Sequence, residues 1–230
     1  MGIYYAIGGG NFQREENLHI DKMILKEVGV NPKLLYIPAA SNDKEEGIKT
    51  VVEYFQKLNA NVKVLKINEM HCAKKMFDAS DIIYFGGGMT KRLVDVASKF
   101  NLKELIIDAC QKGKVIAGIS AGAIMLFEHG FGDQYAFNYR EEMKGYRYVD
   151  GLGIIKGVFV PHYQAQGLLT FHDEVQKYPM TAYALEDKTA LRIEDGKFNI
   201  IKQKGAMAVR FNYEKNYLLE PLLENEIYDL

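Results

Sequence analysis

"KVIAGISAGAIMLF", residues 114–127, closes a short apolar run at Gly118, sets Ser120 almost at once after it, and continues in small residues of helical character. Within it, Gly118-Ile119-Ser120-Ala121-Gly122 matches G-x-S-x-G in full, with a strand-like run before and a helix-like run after. A strand-to-helix turn this sharp strains its central residue, and flanking glycines relieve the crowding around it. The turn presents Ser120 Oγ above the carboxyl edge of a sheet. The Ala121 N–H opens a helix, where unpaired donors and the helix dipole favour negative charge. The bland alternative is a serine N-cap between small residues; the complete pattern in its strand–helix context favours a nucleophile.

The flanks extend this reading to a fold. Short apolar runs at 3–8, 33–38, 62–67, 81–88 and 114–118 alternate with helix-spaced segments at 18–28, 43–58, 90–99 and 101–111. In 43–58, Ile48, Val51, Val52, Phe55 and Leu58 recur at helical intervals. Pro38 ends its run, because proline cannot continue a central ladder. Strands alternating with helices predict βαβ units and a parallel sheet covered on both faces. The last third changes character: 153–163 and 183–211 read as strands and hairpins, with a turn at Asp195-Gly196 and a helix over roughly 164–177. The expectation is one α/β domain over residues 1–230, a three-layer sandwich with a C-terminal hairpin region.

Composition narrows the partners. The formal net charge is −1, so neither nucleic acid nor an anionic membrane surface is an expected partner. Cys72 and Cys110 lack metal or disulfide spacing, and Cys110 reads as core packing on a helix. No signal peptide or membrane span is visible, which makes a cytoplasmic location the default. No metal or organic cofactor is expected, and the oligomeric expectation is monomer or homodimer.

Two further glycine clusters follow strands. "GGGNFQR" (8–14) lacks the third glycine of a dinucleotide fingerprint, since Gln13 stands there, and "GGGMTKR" (86–92) has Lys91 at that place. Tight turns at strand ends explain both more simply. A serine nucleophile needs a base. His19, His71 and His129 lie in surface-like or helical surroundings, and His172 sits among the acids Asp173 and Glu174. His162 closes the apolar run "GVFVPHY" and so falls at a strand end, the functional edge of an open sheet. An orienting carboxylate could come from Asp150, Glu186, Asp187, Glu194 or Asp195, and local physics does not choose among them.

These residues together resemble a known family. "FGGGMT" (85–90), "AGISAGAIMLF" (117–127), "VPHY" (160–163) and "ALEDKTAL" (184–191) are similar, in order and spacing, to the landmarks of the dipeptidase E and cyanophycinase family of serine peptidases. The resemblance implies a class I glutamine-amidotransferase-like (flavodoxin-like) fold with serine in place of that fold's usual cysteine. It implies a triad of Ser120, His162 and Glu186, with Asp187 the neighbouring alternative to Glu186. Gly88 and Ala121 would supply the oxyanion-hole amides, and Gly87, Met89 and Thr90 would lie against a small peptide substrate. The chain departs from the family at Met89, where asparagine is usual. It also lacks arginines in "QAQGLLTFHDEV" (164–175), where dipeptidase E reads a substrate aspartate. Hydrolysis of short peptides through an acyl-enzyme is the activity expected. Cyanophycinase-like or esterase chemistry on the same triad, or an inactive ligand-binding relative, are the alternatives.

Overall fold

The structure, a computed structural model, describes residues 2–133, 146–164, 171 and 179–230. The expected helix over 164–177, with His172, Asp173 and Glu174, lies outside the described residues apart from its first residue, Gln164, and Phe171. The five apolar runs form parallel strands: β1 (Ile3–Ile7), β2 (Lys33–Ile37), β3 (Asn61–Val64), β4 (Ile82–Phe85) and β5 (Val115–Ile119). They lie side by side in the order β1-β5-β4-β2-β3. Every residue of β4 and β5 is buried, which explains why these runs are continuously apolar rather than alternating.

Helices cover both faces. On one side α1 (Leu18–Val28) and α2 (Glu45–Lys57) pack Ile20, Ile24, Val51 and Phe55 against Tyr5, Ile7, Tyr84 and Ile119. On the other, α3 (Ala73–Asp78), α4 (Thr90–Lys99) and α5 (Leu102–Gln111) pack Phe77, Leu93 and Ile106 against Ala6, Ile37, Phe85 and Ile116. Cys110 is a buried member of this second cluster. The result is a three-layer α/β sandwich around a mostly parallel sheet. Among the described residues no helix is long and apolar enough to cross a membrane.

After β5 the chain makes α6 (Ala121–Ile124), only four residues long, and then departs from the expected hairpins. The strands β6 (Phe127–Asp133), β7 (Tyr146–Asp150), β8 (Ile155–Val160) and β9 (Ala182–Leu185) belong to a second sheet. The chain returns to the first sheet as β10 (Thr189–Glu194) and β11 (Lys197–Lys202). It visits the second again as β12 (Ala208–Asn212) and β13 (Leu218–Pro221), and ends beside β11 as β14 (Tyr228–Asp229). The second sheet turns Phe159, Tyr183 and Leu185 into the core shared with α3–α5, while Val158, Val160, Ala182 and Ala184 build a third apolar cluster on its other face. The Asp195-Gly196 turn is as expected. Glu194 pairs with Lys197, and both turn residues have positive φ (51° and 75°), the two-residue hairpin geometry that suits strand twist.

One buried acid stands out. Asp21, on α1, is fully buried and accepts hydrogen bonds from Tyr54 (2.8 Å) and Tyr84 (3.3 Å). Burial lifts its carboxyl to about 7 despite the two phenols, which pull it the other way. The folded chain therefore holds this proton through a pH range in which the unfolded chain, with an ordinary carboxyl near 3.8, has released it. Its contribution to stability thus falls as pH rises from about 4 to about 7 and is flat above. Chemical denaturation of wild type and Asp21→Asn at pH 5 and pH 8 should show the variant gaining stability relative to wild type at the higher pH. A constant difference between the two would contradict the burial argument.

Candidate active site

The site forms where both sheets deliver strand ends to one point. Ile7 lies opposite Ile119 of β5 on one side and Ala190 of β10 on the other. The residues just beyond β1 and β5 and just before β10 are therefore neighbours: Gly8-Gly9, Ser120 and Asp187-Lys188. From the second sheet, β8 ends at Val160, and two residues later the His162 N–H donates to Gly8 O (3.0 Å).

Ser120 occupies φ 53°, ψ −114°, backbone that a non-glycine residue adopts only under constraint. The constraints are visible. Its N–H donates to Ile7 O (3.0 Å), and its carbonyl accepts from Ala123 N and Ile124 N. A Cβ on Gly118 would collide with the Gly122 carbonyl, and one on Gly122 would collide with the Phe85 carbonyl. Both glycines of the motif are thus needed so that β5, α6 and β4 can approach. The helix α6 that begins at Ala121 is a single turn of four residues, shorter than the helical run read from the sequence.

His162 Nε2 lies 2.9 Å from Ser120 Oγ, and His162 Nδ1 lies 2.6 Å from Asp187 Oδ1. His162, like Ser120, has positive φ (50°). The carboxylate beside the imidazole is therefore that of Asp187. Glu186, which the family resemblance placed there, is turned away, and its Oε2 accepts from Met207 N (2.8 Å). The reason is the crossing from β9 to β10. Glu186 directly follows β9, whereas Asp187 and Lys188 form the turn into β10, with Lys188 at φ 64°, and this turn brings Asp187 rather than Glu186 to His162. The Asp187 amide donates to Gln164 Oε1 (3.1 Å), and Lys188 N donates to Gly9 O (3.0 Å); together they fix the crossing.

The turn after β4 supplies the opposite wall. Gly86 N and Met89 N are tied to Ile37 O (3.0 Å) and Ala40 O (2.9 Å), and the amides of Gly87 and Gly88 lie between them. Gly88 has φ 138°, and a Cβ there would strike the Ala40 carbonyl. A Cβ on Gly87 would lie 3.9 Å from Ser120 Oγ, so this turn flanks the hydroxyl. Gly87, Gly88, Thr90, Ser120 and His162 line a cleft of about 420 Å³. Met89, expected against the substrate, is not among its lining residues. The other described histidines are engaged elsewhere or apart: His19 Nε2 is 3.2 Å from Lys188 O, His129 Nδ1 is 2.9 Å from Asp150 Oδ1, and His71 lies on the 3₁₀ turn Ile67–Cys72.

The first glycine cluster, read from the sequence as a tight turn at a strand end, has a further part in the site. A Cβ on Gly9 would overlap Asp187 Oδ1 and the His162 ring. This glycine is the floor on which the His–Asp pair rests. Gly9→Ala should leave the fold intact by circular dichroism while lowering turnover at least about tenfold, since an ångström-scale misplacement of a reacting group is costly. Unchanged turnover would show that the pair tolerates displacement.

Comparison with known proteins shows what the chain as a whole is similar to. The solved structure of a peptidase from an acI-B1 Actinobacterium superposes with a TM-score of 0.78 at 20% identity, covering 100% of this chain and 97% of the other. A putative peptidase E protein from Listeria monocytogenes EGD-e superposes with a TM-score of 0.66 at 16% identity, covering 89% and 100%. Both likenesses are of fold. In sequence, the uncharacterized peptidase YgaJ of Bacillus subtilis (strain 168) is 30% identical over 225 residues, 94% of each chain. Residues 5–201 match peptidase family S51, and the chain belongs to that family.

Proposed function

We propose that this chain is a serine peptidase that hydrolyses short peptides through an acyl-enzyme on Ser120. The observation that carries the reading is the continuous contact from Ser120 Oγ to His162 Nε2 (2.9 Å) and from His162 Nδ1 to Asp187 (2.6 Å), at the strained serine turn of a G-x-S-x-G motif.

His162 Nε2 accepts the hydroxyl proton as Oγ bonds to the scissile carbonyl carbon. The carbonyl π pair moves onto oxygen, and in this reading the amides of Gly88 and Ala121 donate hydrogen bonds to it. Asp187 accepts the hydrogen bond from Nδ1–H, which keeps Nε2 free to act as base and stabilises the imidazolium that forms. As the intermediate collapses, the C–N bond breaks and the leaving nitrogen takes the proton from Nε2. Water then attacks the ester by the same route, with His162 again the base, and releases the acid and Ser120. No step calls on a metal or an organic cofactor. The size of the cleft suits a short peptide rather than a folded chain.

Ser120→Ala should abolish labelling by a fluorophosphonate probe and lower peptide turnover by on the order of 10⁴ or more. Wild-type turnover in the variant would end this reading. The two acids are separable. Asp187→Asn should cost on the order of 10³–10⁴ in kcat with little change in KM, because the amide favours the wrong tautomer. Glu186→Gln, which keeps an acceptor for Met207 N, should stay within about threefold of wild type. The reverse ranking would restore Glu186 as the orienting acid.

A further inference from the structure

The wall of the cleft away from His162 carries a polar group that the reaction does not use. Tyr36, on β2, is 5% exposed and lines the cleft with Phe12, Ser41, Thr50 and Val51. Gly86 brings it close to the oxyanion turn: a Cβ on that glycine would lie 2.6 Å from the Tyr36 hydroxyl. This hydroxyl has no hydrogen-bond partner among the described residues, whereas the neighbouring Ser41 and Thr50 hydroxyls donate to Pro38 O (2.9 Å) and Glu46 O (3.0 Å). The ring of Tyr36 is buried while its hydroxyl opens to the cleft, where water or a ligand group can complete its hydrogen bonding.

The surroundings say what kind of ligand group fits. None of the described lining residues is Asp, Glu, Lys or Arg. Entering such a cleft, a carboxylate or an ammonium would lose hydration with no opposite charge in return among the described lining residues. Burial, and after it the carboxylate of Asp43, hold the Tyr36 phenol well above its ordinary range, so the phenol remains a neutral donor and acceptor. The negative charge of Asp43 also opposes an acidic group at the same place. The Ser41 and Thr50 oxygens, already donating their protons, still offer lone pairs. Phe12 and Val51 supply apolar surface for a short stem.

We propose that this cleft selects peptides with an uncharged, hydrogen-bonding side chain of the carboxamide class next to the scissile bond, and that Tyr36 is its specificity-determining residue. This rests on the reading of Ser120 as nucleophile. The phenol hydrogen meets the carboxamide oxygen, and the carboxamide N–H groups meet the hydroxyl oxygens of Ser41 and Thr50.

The test uses the full-length protein and tripeptides identical except for Asn, Gln, Asp, Lys or Leu on either side of the cleaved bond, with products followed by mass spectrometry. Asn or Gln should exceed Asp and Lys in kcat/KM by at least about tenfold at one of the two positions. Tyr36→Phe, which keeps the ring, should lower the Asn-to-Leu ratio of kcat/KM by about three- to tenfold, the worth of one neutral hydrogen bond. Preference for Asp or Lys, or a Tyr36→Phe ratio equal to that of wild type, would overturn the proposal. So would failure to cleave any carboxamide peptide while fluorophosphonate still labels Ser120, a result that leaves the nucleophile reading standing. Loss of labelling in wild type would instead strike at the nucleophile itself.

Discussion

The backbone at Ser120 is the constraint around which the other parts are arranged. A residue at φ 53°, ψ −114° costs about 1–3 kcal/mol, and isolated chain would relax it. Here it cannot relax. Ile119 before it is paired in register with Ile7 inside a buried parallel sheet, and the turn of α6 after it is wedged against β4 through Gly122 and Phe85. Moving Ser120 to a comfortable conformation would break the hydrogen bond to Ile7 O or drive Gly118 and Gly122 apart. The rigidity of the sheet thus maintains the strain, and the strain keeps the hydroxyl at the edge of the sheet rather than packed beneath it.

The partners of that hydroxyl arrive by a different principle. The first sheet alone could present a serine but not the histidine beside it, because His162 follows a strand of the second sheet. What joins them is the chain's repeated passage between sheets. The segment Glu186–Lys188 crosses from β9 in one to β10 in the other, and its backbone is held to the first sheet through Lys188 N to Gly9 O. The Gly8 carbonyl meanwhile receives His162 N. One short stretch of glycine therefore stitches both sheets together directly under the imidazole. Any side chain at position 9 would occupy the space of the His–Asp hydrogen bond. Stability of the seam and geometry of the site are the same set of contacts.

This division accounts for what could be read from residues alone. The serine turn is local: five residues, a strand before and a helix after, so its pattern is complete within the sequence. The helices α1 and α4 and the Asp195-Gly196 hairpin are local too, fixed by periodicity and by turn chemistry, and they fall where the residues put them. His162 was legible because a histidine ending an apolar run lies at a sheet edge. The choice between Glu186 and Asp187 was not, because it depends on which way a crossing between two sheets is wound, and neither acid carries that information. The same holds for β9 and β10. Apart from Ala182 they fall within the stretch 183–211 that reads as strands and hairpins, yet their hydrogen bonds go to different sheets. The strand β6 was hidden by the short α6, whose small residues extend the helical pattern into it.

Beneath the cleft lies a layer that links its shape to the core. The ring of Phe12 stands edge-on to Tyr54 (5.4 Å) and Tyr84 (6.1 Å), and Tyr36 packs against Tyr84 (6.5 Å). Tyr54 and Tyr84 are in turn the two phenols that converge on Asp21. The aromatic groups that line the cleft are therefore not free to rotate independently. Each is backed by a ring whose own orientation is fixed by a buried hydrogen bond. Apolar side chains of equal volume would fill this space as well, but they would not hold the ring planes, since packing alone leaves rotamers nearly degenerate where shape is the only guide. A shared acceptor at Asp21 removes that degeneracy by giving each hydroxyl one place to point. The arrangement carries a thermodynamic cost, a carboxyl whose ionisation the core opposes, and it fixes the rings on which Phe12 and Tyr36 rest.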